Sequence, residues 1–180
     1  MQNGKGKEMK RIADFYKVSS KIFTDEAVSS LKLESGSAEE AYNDIKLPKR
    51  ATSGSAGYDF YAPVDLTIRP GETVKVPTGI RARMDEGWVL MIFPRSGLGF
   101  KFRLMLDNTV GVIDSDYYNS DNEGHIMIKV TNCSGIGEAE GKTINIAKGQ
   151  GFAQGVFLPF GITTDDEASG IRNGGLGSTT

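Results

Sequence analysis

From Leu47 onward the chain is cut into short apolar runs, each closed within a few residues by Gly, Pro, Asn or Asp. Tyr58–Ala62, Asp65–Ile68, Thr73–Val76, Gly79–Met84, Trp88–Pro94, Leu104–Leu106, Ile126–Val130, Thr143–Ile146 and Phe152–Phe160 each suit a strand. Pro70-Gly71, Asp85-Glu86-Gly87 and Glu123-Gly124 are turn signals between them. Many short strands at close spacing predict an all-β sandwich or barrel and argue against a βαβ fold. With 180 residues the chain is long enough for one domain with a real core.

Within that texture, Leu106 to Tyr117 carries the most chemistry. Val112 and Ile113 stand directly ahead of Asp114. Two β-branched residues before an acid predict a strand that ends by pointing a partly buried carboxylate into a cleft. Environment controls the basicity of such a group, so Asp114 is a candidate general base. Asn108 offers an amide for a planar polar ring edge, and Tyr117 offers an aromatic face. Alternation along a strand would send Asp114 and Asp116 to opposite faces, which argues against a metal ion shared between them.

Ahead of Leu47, the segment Ile12–Phe23 carries Phe15, Tyr16, Val18 and Ile22 and predicts a first strand. Thr24-Asp-Glu-Ala-Val reads as a helix start capped by Thr24. Ser37-Ala-Glu-Glu40 reads as a second start, with Ser37 as its cap. The expected organisation is therefore an N-terminal segment over 1–46, holding a first strand and a short helical excursion at 24–46. A β domain follows over 47–170, then a Gly-rich tail over 171–180. That tail carries Arg172 with glycines and hydroxyls, a mixture that wraps phosphate oxygens or else frays.

The formal net charge is −2 with one histidine, His125, and one cysteine, Cys133. No basic surplus exists to hold a nucleic acid. One Cys excludes an internal disulfide and fits a reducing compartment, and one Cys with one His cannot build a Cys/His zinc site. Lys5, Lys7, Lys10 and Arg11 are not followed by an apolar stretch, so no signal peptide is expected. No apolar run reaches membrane-spanning length. A cytoplasmic protein with neither nucleic-acid nor membrane partners is the expectation.

Three further segments offer polar groups. Pro94-Arg-Ser-Gly-Leu-Gly99 follows a strand and places Arg95, Ser96 and Gly97 where a phosphate could be cradled, although it is neither a Walker loop nor a dinucleotide fingerprint. Asp59 sits between aromatics in Ala56-Gly-Tyr-Asp-Phe60 and, read locally, caps a turn or pairs with an Arg. Gln154 is the polar exception on an apolar strand and, read locally, satisfies backbone groups. Trp88 and Cys133 read as core residues. His125 carries no assigned role, and Tyr117 and Tyr118 read equally as interface or core aromatics.

Taken together and in order, five segments resemble the five motifs of the trimeric dUTPases, the dUTP nucleotidohydrolases. They are Ala56–Phe60, Pro94–Gly99, Gly111-Val-Ile-Asp-Ser-Asp-Tyr117, Phe152-Ala-Gln154, and Arg172 with Gly174-Gly-Leu-Gly-Ser-Thr179. The resemblance covers about residues 45–180. It implies a distorted jelly-roll (β-clip) subunit in a homotrimer with shared active sites, where the tail crosses to a neighbour. The implied activity converts dUTP to dUMP and pyrophosphate, limiting uracil in DNA and supplying dUMP for dTMP synthesis. Asp114 would activate the water that attacks the α-phosphorus. Asn108 and the backbone around Val112, Ile113 and Met127 would read uracil, and Tyr117 would pack on the deoxyribose. Arg95, Ser96, Gly97 and Gln154 would hold the phosphates. Asp59 would position Mg2+ through water. Arg172, Leu176, Gly177, Ser178 and Thr179 would close as a lid.

The chain departs from that pattern in places. Gly151 stands where the fourth motif usually has Arg, and Lys148 is the nearby candidate replacement. Leu176 stands where an aromatic often covers the base, and Thr180 where Gly is common. The turn between Tyr117 and Gly124 is longer than usual. Two rivals remain. A dCTP deaminase-like enzyme of the same fold would need a Glu on the strand after the turn, yet His125–Asn132 contains no acid. A regulatory protein retaining the fold without turnover would not need the intact Asp114.

Overall fold

The computed structural model of the chain describes residues 9–137, 140–170 and 172–174. Its first strand is β1 (Ala13–Lys17), followed by helices α1 (Ser20–Leu31) and α2 (Ser35–Asn43). Next come β2 (Lys49–Arg50), β3 (Tyr58–Tyr61), β4 (Leu66–Ile68), β5 (Thr73–Pro77), β6 (Ile80–Met84) and β7 (Trp88–Pro94). A short helix, α3 (Ser96–Phe102), leads to β8 (Leu104–Leu106) and β9 (Gly111–Ile113). A 3-10 turn over Ser115–Asn119 precedes β10 (Met127–Asn132), β11 (Ile144–Ile146) and β12 (Gly151–Pro159).

The strands anticipated between Tyr58 and Phe160 all form, with ends shifted by a residue or two. Their two-residue period explains why: β6 buries Ile80, Ala82 and Met84 and turns Arg81 and Arg83 outward, and β10 buries Ile128 and Val130 between Lys129 and Thr131. All ladders are antiparallel. The five-stranded sheet runs β2-β3-β12-β7-β9, the three-stranded sheet runs β5-β10-β8, and β1-β6 and β11-β4 pair as ribbons. One main core of Phe60, Leu90, Ile92, Ile128, Val130, Phe152 and their neighbours lies between these layers. Glycine at 155 lets them close, because a Cβ there would stand 2.8 Å from Leu90 Cδ1 and 2.9 Å from Phe60 Cε2. The result is a distorted jelly roll.

The N-terminal segment differs from expectation in its boundaries. The first strand stops at Lys17 and pairs with β6, which makes it part of the β framework. Helix α1 is capped by Ser19, whose hydroxyl accepts from the Ile22 amide at 3.3 Å, and not by Thr24. Packing decides this: Phe23 is fully buried with Ala27, Val18, Ala38 and Ala41 in a second core, and a helix starting at Thr24 would leave Phe23 outside it. Likewise α2 opens after Glu34 rather than at Ser37, so that Ala38 and Ala41, one turn apart, face α1. Local capping signals yielded to the burial of a helix face in both cases.

Candidate functional site

The candidate residues collect into two groups at opposite ends of β7. Near Pro94, Gln154 on β12 stands opposite both Asp59 on β3 and Phe93 on β7. Arg95 follows β7 directly, and its Nε lies 3.7 Å from Asp59 Oδ1. Its Nη1 donates to the Gly151 carbonyl at 3.3 Å, and Gln154 Nε2 donates to the Pro94 carbonyl at 3.4 Å. The local readings of Asp59 as an Arg partner and of Gln154 as a backbone partner both hold, yet the two residues are cross-strand partners at the same end of the sheet. Gly151 is part of this arrangement, since a Cβ there would stand 3.2 Å from Arg95 Nη1. Lys148 does not fill the place of the missing arginine; its Nζ is engaged by Asp44 at 2.6 Å. Arg95, Ser96 and Gly97 do not form an open loop. They start α3, with all three exposed; the Leu98 and Gly99 amides donate to the Arg95 carbonyl at 3.0 Å, while those of Ser96 and Gly97 have no intrahelical acceptor.

The second group surrounds the 3-10 turn. Strand β9 ends at Ile113, so strand alternation does not extend to Asp116. Both carboxylates reach one guanidinium: Arg172 Nη2 lies 2.6 Å from Asp114 Oδ2, and Nε lies 2.9 Å from Asp116 Oδ1. The expectation of opposite faces is overturned because the backbone, still extended at Asp114, turns into the 3-10 segment at Ser115 and so breaks the alternation before Asp116. That side chain is 45% exposed, and Arg172 is 20% exposed. The guanidinium also lies 5.9 Å over the Tyr117 ring. Tyr117 itself is buried, and burial raises its phenol above the ordinary range. Its hydroxyl donates to the His125 carbonyl and accepts from Asn122 Nδ2, each at 2.9 Å.

Asn108 occupies the exposed turn between β8 and β9, and its side-chain amide makes no hydrogen bond among the described residues. Val112 is 56% exposed, Ile113 is half-buried, and Met127 opens β10. Leu176, Gly177, Ser178 and Thr179 lie outside the described residues.

Sequence reasoning gave His125 no role, yet it is fully buried behind the turn. Its Nε2 accepts from the Gly79 amide at 2.9 Å, and burial pushes its pKa down to about 4. No local pattern announces this, since the partners come from the β5–β6 connection and from α1. Gly124 is equally committed. It adopts φ +67°, and a Cβ would stand 2.7 Å from the Tyr117 carbonyl oxygen. The lengthened turn therefore folds back tightly on the backbone of Tyr117 and Tyr118.

The two groups are well separated within one chain. Ile113 pairs with Leu90, so Asp114 continues towards Val89, whereas Arg95 lies six residues further along β7. At the rise of a strand that is about 20 Å. A cleft of about 290 Å3 beside Lys46, Tyr61 and Lys148 holds none of the residues of either group.

The arrangement is that of an antiparallel β sandwich with paired polar sites at the two ends of one central strand. The family model described as dUTPase matches residues 43–180, and the chain belongs to that family. It is 44% identical over 138 residues to the deoxyuridine 5'-triphosphate nucleotidohydrolase of Lactococcus lactis, covering 75% of this chain and 88% of that protein. The corresponding protein of Tolumonas auensis is 40% identical over 145 residues, covering 76% of this chain and 89% of that one. Among solved structures, the dUTPase from Streptococcus mutans aligns with a TM-score of 0.56 at 42% identity, over 65% of this chain and 88% of that one. The dUTPase from phage phi11 of S. aureus shares the fold with a TM-score of 0.55 at 23% identity, over 70% of this chain and 90% of that one.

Proposed function

We propose that the chain hydrolyses dUTP to dUMP and pyrophosphate, limiting uracil in DNA and supplying dUMP, in sites shared between the copies of a cytoplasmic homotrimer. The observation that carries this reading is Asp114, a half-exposed carboxylate at the end of β9, within a chain of the dUTPase family. Water attacks the α-phosphorus, its proton passes to Asp114, and the bond to the β-phosphate oxygen breaks so that pyrophosphate leaves with the electron pair. Arg172 pairs with Asp114 before substrate arrives; a triphosphate offers that guanidinium a more highly charged partner and leaves Oδ2 free for the proton.

Asn108, with the backbone at Val112, Ile113 and Met127, reads uracil, and Tyr117 backs the deoxyribose. Arg95, Ser96, Gly97 and Gln154 hold the phosphate chain. Arg172, Leu176, Gly177, Ser178 and Thr179 close over it. The separation of about 20 Å between Arg95 and Asp114 is greater than the span from an α-phosphorus to the end of its own triphosphate, which supports sites completed by a second copy. Among the described residues no cluster of three or more metal-ligating side chains exists. A lone hard donor such as Asp59 fits Mg2+ held mostly by phosphates and water. There Mg2+ would neutralise phosphate charge. A phi11 variant structure is described as showing coordination of a structural Mg(II) ion in that protein.

A nucleotide panel assayed for pyrophosphate and ammonia tests the reading. Pyrophosphate from dUTP, with much less from dCTP, dTTP or UTP and no ammonia, is expected. Ammonia from dCTP, or no turnover of dUTP, would overturn it.

A further inference from the structure

The 3-10 turn that carries Tyr117 is gripped from behind by residues that lie outside the family motifs. Tyr16 on β1 and Arg81 on β6 are cross-strand partners, and both reach Tyr118. The Arg81 guanidinium carbon stacks 3.6 Å over the Tyr118 ring, and its Nη2 donates to the Tyr118 carbonyl. Tyr16 meets that ring edge-on with centroids 6.0 Å apart. Arg81 Nη1 also lies 4.0 Å from Glu123 Oε2, and the same carboxylate oxygen accepts the Ser19 amide at 2.7 Å. Glu123 thereby joins the far side of the turn to the start of α1. The Arg81 side chain is only 19% exposed, so little solvent competes for these contacts. Both ends of the turn are thus held by one arginine and by the carboxylate beside it. Tyr118 is consumed as an anchor, while its neighbour Tyr117 keeps the ring that the proposed function aims at the sugar.

From this geometry we infer that Arg81 is a positioning residue for sugar selectivity. By fixing Tyr118 it fixes Tyr117, so discrimination between deoxyribose and ribose depends on the β1–β6 ribbon as well as on the tyrosine itself. A planar guanidinium suits the task because it can stack and donate at once, which an ammonium cannot. The inference rests on the proposed dUTP hydrolysis and deepens it.

Kinetics of the full chain with dUTP and with UTP, for wild type, Arg81→Met and Arg81→Lys, test it. Arg81→Met is expected to lower the dUTP-to-UTP ratio of kcat/KM about tenfold through a rise in KM for dUTP, since small misplacements near a bound substrate have effects of that size or larger. Arg81→Lys should fall between. A merely structural arginine would instead lower the melting temperature and both substrates alike, leaving the ratio unchanged, and that result overturns the inference. If Arg81→Met fails to fold, Tyr118→Leu carries the same expectation and the same overturning result, with Tyr118→Phe expected to keep the ratio. Wild type that does not turn over dUTP would refute the proposed activity instead, so the two failures are distinct.

Discussion

Arg95 and Asp59 meet at 3.7 Å across the end of β12, which lies between their strands, with the arginine 45% exposed. At the other end of β7, Asp114 sits on a turn backed by Tyr117 and His125, both buried. The first group is simple: strand ladders and one helix start deliver charge to the surface, with only a few side-chain contacts added, Arg95 to Asp59 and the Gly151 carbonyl and Gln154 to the Pro94 carbonyl. The second group has no ladder to rely on after Ile113. Its shape comes instead from many side-chain contacts, among them Tyr117 with His125 and Asn122, Arg81 with Tyr118, and Glu123 with Ser19. Gripping a flexible polyanion needs charge in roughly the right place. Aiming a water and excluding a hydroxyl need atoms held closely, and an irregular turn achieves that only when packing over-determines it.

Each half can be challenged separately. The largest effect belongs to Asp114→Asn, expected to lower kcat for dUTP by about 10^3-fold while binding persists. Pyrophosphate kinetics beside equilibrium nucleotide binding would check this, and retained turnover would remove Asp114 from the role of base. Acid comes next and acts on the turn half. The pKa of His125 is pushed down to about 4 by burial, against 6.5 in the unfolded chain. The folded state therefore refuses a proton that the unfolded state takes up, and the stabilisation present above pH 6.5 is lost as pH falls towards 4. The loss should reach about 3 kcal/mol, and denaturant titrations of wild type and His125→Gln at several pH values would reveal the difference in slope.

On the strand-end half, Arg95→Ala should cost about a hundredfold in kcat/KM, the scale of losing one charged donor to the reacting group. Co-refolding Arg95→Ala with Asp114→Asn should recover activity that neither variant has alone. No recovery would mean that each copy uses both of its own groups. The smallest effect is that of Asp116→Asn. Asp116 touches Arg172 from an exposed position, so kcat/KM should change by less than about tenfold, and a loss matching that of Asp114→Asn would show the two acids to be one unit.

Much of the framework was legible beforehand. Strands such as Trp88–Pro94 and Leu104–Leu106 have the same ends in the sequence pattern and in the structure, because a two-residue period with turn residues at each end is a local property. The order of five short polar motifs was legible for the same reason. Helix starts were not: Ser19 and Glu34 outranked Thr24 and Ser37 because Phe23, Ala38 and Ala41 had to face each other. The stretch after Pro94 reads as a short Gly-containing loop because its glycines obscure a helix of about two turns, Ser96–Phe102.

What a linear reading could establish was therefore the β class of the fold, the acid at the end of β9 and the motif order that marks the family, since each is written in neighbouring residues. It could not bring Asp114 and Asp116 onto Arg172, which is 58 residues from Asp114 in the chain, nor join Glu123 to Ser19 across 104 residues. Those contacts exist because the β1–β6 ribbon and the packed sheets carry distant segments to the same turn. Sequence proximity sets which groups a strand can present; the closing of layers over a common core sets which of them meet.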